Sequence, residues 1–147
     1  MNPYVIAAFA IVAAPTLLPA QDSAKHPAYL HALESLRYAR GQVASRGGDT
    51  LMKWDEKLVV HEIDEAMREI KIAAFDDGKN LDQHPSVDVK LAYRGRLHRA
   101  LELLAQANKD CHHEEANGTV RGLQKRAILH IEAAIRFTRE GIALARR

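Results

Sequence analysis

The chain has 147 residues, 21 Lys and Arg against 19 Asp and Glu for a formal net charge of +2, and one cysteine. That length holds one domain with a real core and not two, and charges of both signs interleaved along the chain exclude an extended nucleic-acid footprint. A lone Cys111 excludes an intrachain disulfide, and the lack of any Cys-x-x-Cys-His run excludes covalent c-type haem.

From Asn2 to Ala20 no side chain is charged, and the first charge is Asp22. An apolar run from Val5 to Ala14, then Pro15 to Ala20, predicts a secretory signal peptide over residues 1–20, cut after Ala20. The mature chain, residues 21–147, is then expected in the periplasm or outside the cell. Its n-region offers only the α-amino group as a positive charge, and an uncleaved anchor or a core helix stay open as alternatives. The run is short and broken by Pro15 and Pro19, whereas a membrane span needs about 20 apolar residues, so no stable membrane anchor is expected. Position 21 is Gln, which leaves no lipobox cysteine to acylate.

Glycine and proline punctuation divides the mature chain into four helical stretches. The first is predicted from Pro27, a good N1 residue, to about Ser45, closed by Gly47-Gly48. Its apolar stripe is Tyr29, Leu30, Leu33, Leu36 and Val43. The second follows Asp49-Thr50 and ends near Phe75, with Val59, Ile63, Ala66, Met67, Ile70 and Ala73 on one face. Ser86 is expected to cap a third helix, after the loop 79–85, that runs to about His112 and buries Leu97, Leu101, Leu104 and Ala105. Asn117-Gly118 makes the last turn, and Thr119 is expected to cap a fourth helix to about Ala145. That helix carries Leu123, Ala127, Ile131, Ala134, Ile135 and Ile142 on its stripe. All four stripes have the helical period, and none alternates with period two over a strand length. Four such helices with short connections predict an all-α, up-down-up-down antiparallel four-helix bundle. Gly95 and Gly141 fall inside helices, each at about 1 kcal/mol relative to Ala; either they permit close helix approach or they are simply tolerated.

The eight histidines are the unusual count. His98 lies at the edge of the apolar face of the third helix and His130 at the edge of that of the fourth, at similar mid-bundle height. Arg40 falls in the same layer. Two imidazoles from facing helices can hold a transition metal or haem b, because neutral imidazole is a good nitrogen ligand for both. Alternatively both histidines straddle the core boundary and bond to a carboxylate or the backbone; Glu102, one turn after His98, is placed to do so. A second candidate is the run Asp110-Cys111-His112-His113-Glu114-Glu115, where Cys111, His112, His113 and Glu115 are candidate ligands for Cu, Zn or Ni. Histidines at a helix C-terminus also complement the macrodipole with no ligand at all.

Other constellations fail on spacing. His61-Glu62-Ile63-Asp64-Glu65 starts like a zincin motif, but its second histidine position holds Glu65. A di-iron bundle needs Glu-x-x-His on two helices, and the chain has none. No nucleophile elbow, glycine-rich phosphate loop or catalytic dyad is present, so no enzyme is expected. Arg37, Arg40 and Arg94 sit on or beside inner stripes, where they are expected to pair with Glu56, Asp77 or a neighbour, to snorkel, or to meet an anionic ligand.

At HPAYLHALESLRYAR (26–40), EIDEAMREIKIAAFDDGK (62–79) and GRLHRALELL (95–104) the chain resembles small exported bacterial four-helix-bundle proteins of uncharacterised function. The resemblance covers most of the mature chain, implies the bundle fold and supplies no site residue. In architecture the chain is also similar to cytochrome b562 and cytochrome c′. It lacks the haem-attachment motif of the latter, and Met52 and Met67 match no axial-ligand motif of the former. Two functions are therefore expected. One is an exported binding protein that takes a metal or non-covalent haem. The other is a structural or interaction module with a protein partner or a homodimer contact, its surface starting from Ile72, Phe75 and Leu103.

Overall fold

The computed structural model describes residues 27–44, 54–74 and 91–145. Expectations about the signal segment, Gly47-Gly48, Asp49-Thr50, Met52, Phe75, Asp77 and Ser86 lie outside the described residues.

Among the described residues four helices form: α1 Pro27–Ala44, α2 Glu56–Ala73, α3 Tyr93–Cys111 and α4 Gly118–Leu144. Each starts and stops for a local reason. Asp55 caps α2 by accepting from the Lys57 amide at 3.1 Å, a position later than the Asp49-Thr50 pair would give. Glu56 in the first turn and Lys71 in the last then suit the helix dipole. Asn117, rather than the expected Thr119, caps α4: its Oδ1 accepts from the amides of Thr119 (2.9 Å) and Val120 (3.3 Å).

The core stripes are mostly those the periodicity predicts. Tyr29, Leu33, Leu36 and Val43 on α1, Val59, Ile63 and Ile70 on α2, Leu97 and Leu104 on α3, and Ile131 on α4 are all buried. Each large apolar side chain removed from water contributes about 1.5–3 kcal/mol. Ala105 is exposed, contrary to expectation, and α3 instead turns Tyr93, Ala100, Ala107 and Cys111 inward. Every helix also buries an alanine pair seven residues apart: Ala32 and Ala39, Ala66 and Ala73, Ala100 and Ala107, Ala127 and Ala134. Small side chains on the core face let helix backbones approach closely.

The order of helices around the bundle differs from the expected one. α1 packs on α2 and α3, and α4 packs on α2 and α3; α1 with α4, and α2 with α3, lie across the diagonals. The side-chain contacts give the directions. Ala44 at the end of α1 shares a hollow with Glu56 and Lys57 at the start of α2, and Arg37 earlier in α1 shares a cleft with Lys71 and Ile72 late in α2, so α1 and α2 are antiparallel. Tyr29 at the start of α1 meets Glu115 beyond the end of α3. Trp54 before α2 meets Phe137 late in α4, while Glu69 late in α2 meets Arg126 early in α4. The connectivity is therefore up-down-down-up, not up-down-up-down. The short connection assumed before helix 3 is the reason for the difference. α3 begins at Tyr93 and not near Ser86, and a long connection does not force its two helices to be antiparallel neighbours. The end of α2 and the start of α3 lie at opposite ends of the bundle, about 27 Å apart at 1.5 Å per residue of α2.

At the end where α2 begins, the Trp54 indole lies flat against Gly141. Its Nε1 donates to the Phe137 carbonyl at 3.2 Å, and its ring sits 6.4 Å from that of Tyr93. Gly141 is thus the close-approach glycine the sequence suggested, with an indole rather than a helix as the neighbour. Among the described residues no helix is long and apolar enough to cross a membrane.

Candidate functional site

The two histidines of the expected metal or haem layer have separate surroundings. His98 is exposed, and Glu102, expected to satisfy it, accepts from Arg99 Nη1 at 2.8 Å. His130 is half-buried with its Nδ1 2.7 Å from Glu62 Oε2, across the α2–α4 interface. That contact is the carboxylate partner the alternative reading gave it. Among the described residues no group of three or more His, Cys, Asp or Glu side chains is placed to hold a metal ion.

The run at the end of α3 divides in the same way. His112 turns to solvent, its Nδ1–H donating to the Asn108 carbonyl at 2.7 Å. Cys111 points into the core, and burial, followed by the charge of Asp110, pushes its thiol up to about 12. Metal ligation needs the thiolate, so this environment works against Cys111 as a ligand. His113 and Glu115 do come together, with Nε2 4.0 Å from Oε2, around the buried Tyr29. The His113 ring stands edge-on to Tyr29 at 4.6 Å, and the Tyr29 hydroxyl donates to Glu115 Oε2 at 3.2 Å. Glu115 Oε1 accepts from the Asn117 amide, which closes the turn into α4. Gln124 Nε2 donates to the carbonyls of Cys111 (2.6 Å) and His113 (2.8 Å), satisfying acceptors that the end of α3 leaves open. These residues hold the start of α1 and the α3–α4 turn together. Burial, then the charge of Glu115, raises the Tyr29 phenol well above its ordinary value near 10.

The third candidate, Arg40, lies in a groove. Between α1 and α2 a half-open cleft of about 660 Å³ is lined by Arg37, Arg40, Gly41, Asp64, Met67, Arg68, Lys71 and Ile72. Asp64 also borders a second hollow of about 400 Å³ nearer the start of α2, with Ala44, Val60 and His61 on its walls. Residues 37, 40, 41 and 44 of α1 follow one helical stripe, and Gly41 and Ala44 keep that wall low. Arg40 Nε and Nη2 donate to the two carboxylate oxygens of Asp64 at 2.6 and 3.2 Å, a two-point pair that raises the Arg40 pKa further. Arg68 pairs with Glu65 one turn earlier. Neither Asp64 nor Glu65 was expected as these partners.

No family model matches the chain, and no curated protein or solved structure matches it either. The functional argument therefore rests on the geometry. Of the surface residues expected to start an interaction face, Ile72 is 54% exposed but lines the groove, and Leu103 packs against the core. Arg94 is exposed, while Arg96, which drew no attention in the sequence, is the buried arginine of α3. The groove itself left one sequence signal: Gly41, a glycine inside α1 that no turn or cap explains.

Proposed function

We propose that this protein is a small binding module whose site is the groove between α1 and α2, and that its ligand is a small anionic molecule with an apolar part. One observation carries the reading: four cationic side chains and a single acid line a cleft of about 660 Å³ whose remaining walls include Met67 and Ile72. Ligand sites of this size combine apolar walls with a few placed polar groups. Arginine favours carboxylate and phosphate because its planar fork offers paired donors, and Met67 gives an adaptable apolar contact. The reading keeps export by residues 1–20 to the periplasm or beyond, and a domain without catalytic chemistry. It replaces the histidine-bound metal or haem as the ligand, because His98 and His130 face different surroundings.

Octanoate, a carboxylate with a short tail, tests the reading against octylamine, which has the same tail and the opposite charge. Octanoate is expected to shift the backbone amides of Gly41, Asp64 and Met67 saturably in NMR spectra, and octylamine is not. Arg40→Gln combined with Arg68→Gln is expected to weaken octanoate at least tenfold. Equal effects of the two amphiphiles, or an affinity unchanged in the double variant, would overturn the anionic site.

A further inference from the structure

Among the described residues, the N-terminus of α3 has a one-sided charge balance. Its first turn holds no acidic residue, and Ala92 at the N-cap has no side-chain acceptor to offer. The helix dipole places about half a positive charge at such an end, and the exposed backbone N–H groups there ordinarily attract an acid. This turn instead adds cations: Arg94, which is exposed, and Arg96, which is 3% exposed.

Arg96 is the unusual member. Helical side chains lean toward the N-terminus of their helix, and Arg96 follows that direction. Its Nη1 donates to the carbonyl of Leu91, ahead of the first turn, at 3.3 Å, and its guanidinium lies 5.3 Å from the centre of the Tyr93 ring. Nε and Nη2 are buried and meet no acceptor among the described residues. A buried guanidinium with two unmet donors is costly, more so beside the positive end of a dipole, unless a negative group joins it. Gly95 adds no side chain to this turn; a Cβ built there would meet only the Leu91 side chain, at 3.8 Å. The backbone of the turn is therefore approachable.

We infer that the N-terminus of α3 is an oxyanion site. Arg96 Nε and Nη2 hold one carboxylate or phosphate group, and the first-turn amides of α3 bind its remaining oxygens. Helix N-termini hold such groups through their free amides and dipole, and the arginine fork fixes the orientation. The site belongs to α3, which lies across the diagonal from α2, so it stands independently of the α1–α2 groove.

Inorganic phosphate and acetate, titrated separately into the intact chain at fixed ionic strength, test the inference. The Gly95 amide and the Arg96 Nε–H resonances are expected to move saturably in the millimolar range with at least one of them. Saturation by phosphate alone assigns a phosphate group as the ligand chemistry, and saturation by acetate alone assigns a carboxylate. Arg96→Met is expected to abolish the saturation with helix content unchanged. Should that variant fail to fold, Arg96→Lys, which keeps the charge and loses the fork, is expected to weaken binding at least tenfold. Resonances that stay still or drift linearly with both anions in the unaltered chain would overturn the site. Saturation that survives Arg96→Met or Arg96→Lys undiminished would do so as well.

Discussion

Replacing Gly141 by Ala tests the indole lock at the end of the bundle where α2 begins. A Cβ on Gly141 would stand 2.6 Å from Trp54 Cε2, 2.8 Å from Cζ2 and 2.9 Å from Cδ2, against ordinary carbon contacts of about 3.5–4 Å. The indole has to move by about 1 Å, which strains its 3.2 Å bond to the Phe137 carbonyl and its packing on Tyr93. Alanine gains about 1 kcal/mol over glycine from helix propensity. Overpacking costs about 1–3 kcal/mol and a lost hydrogen bond about 1 kcal/mol. The net expectation is a loss of about 1–3 kcal/mol. Trp54 is the only tryptophan, so its fluorescence reports on this site alone, and urea unfolding followed by emission and far-ultraviolet circular dichroism measures both quantities. A lower midpoint with shifted native emission is expected. Gly122→Ala is the control: its Cβ would meet only Arg126 Nη1 at 3.8 Å, so propensity should raise stability by up to about 1 kcal/mol. If Gly141→Ala matched that control, with emission unchanged, the indole would not be seated on Gly141.

Two further outcomes are expected. Tyr29 and Cys111 both have raised folded values, from burial first and then from Glu115 and Asp110 respectively, so the fold favours their neutral forms. Their contribution is whole below the unfolded values, about 10 for the Tyr29 phenol and about 8.5 for the Cys111 thiol, and declines as pH rises past them. Urea midpoints should therefore fall from about pH 9 upward, less steeply in Tyr29→Phe, and that variant should lose about 1–3 kcal/mol at neutral pH by leaving Glu115 short of a donor; parallel pH profiles would contradict the assignment. His98→Ala combined with His130→Ala should leave zinc and haem uptake as it is in the unaltered chain, measured by elemental analysis and visible absorption, and a Soret band lost in the double variant would restore the histidine layer.

The fold was legible in the sequence wherever a pattern was local. Four stripes of helical period located four helices, and large apolar residues such as Leu36, Ile63, Leu97 and Ile131 are buried as their spacing requires. Connectivity was not legible, because it hung on where α3 starts. Ser86 has the chemistry of a cap, yet the helix begins at Tyr93 behind an alanine with no capping group. The pairs Ala32 and Ala39, and Ala100 and Ala107, were a visible heptad signal that reading for large apolar residues passed over, whereas Ala66, Ala73, Ala127 and Ala134 stood on the predicted stripes. Sites suffered differently. Angular placement put His98 near the core edge, but an edge residue on a narrow bundle swings to solvent with a small helix rotation. Partners such as Asp64 for Arg40, Glu62 for His130 and Glu115 for Tyr29 come from other helices, and no spacing within one helix can announce them.

The groove between α1 and α2 is the central claim, and filling it is the most direct test. Gly41→Phe places a ring on the low wall of the cleft while removing a glycine from the interior of α1, so the helix should be kept or strengthened. Octanoate titrated by NMR into the unaltered chain and into this variant should shift Asp64 and Met67 saturably in the first and at least tenfold more weakly in the second. Equal saturation in both would show that octanoate binds elsewhere and would contradict the account.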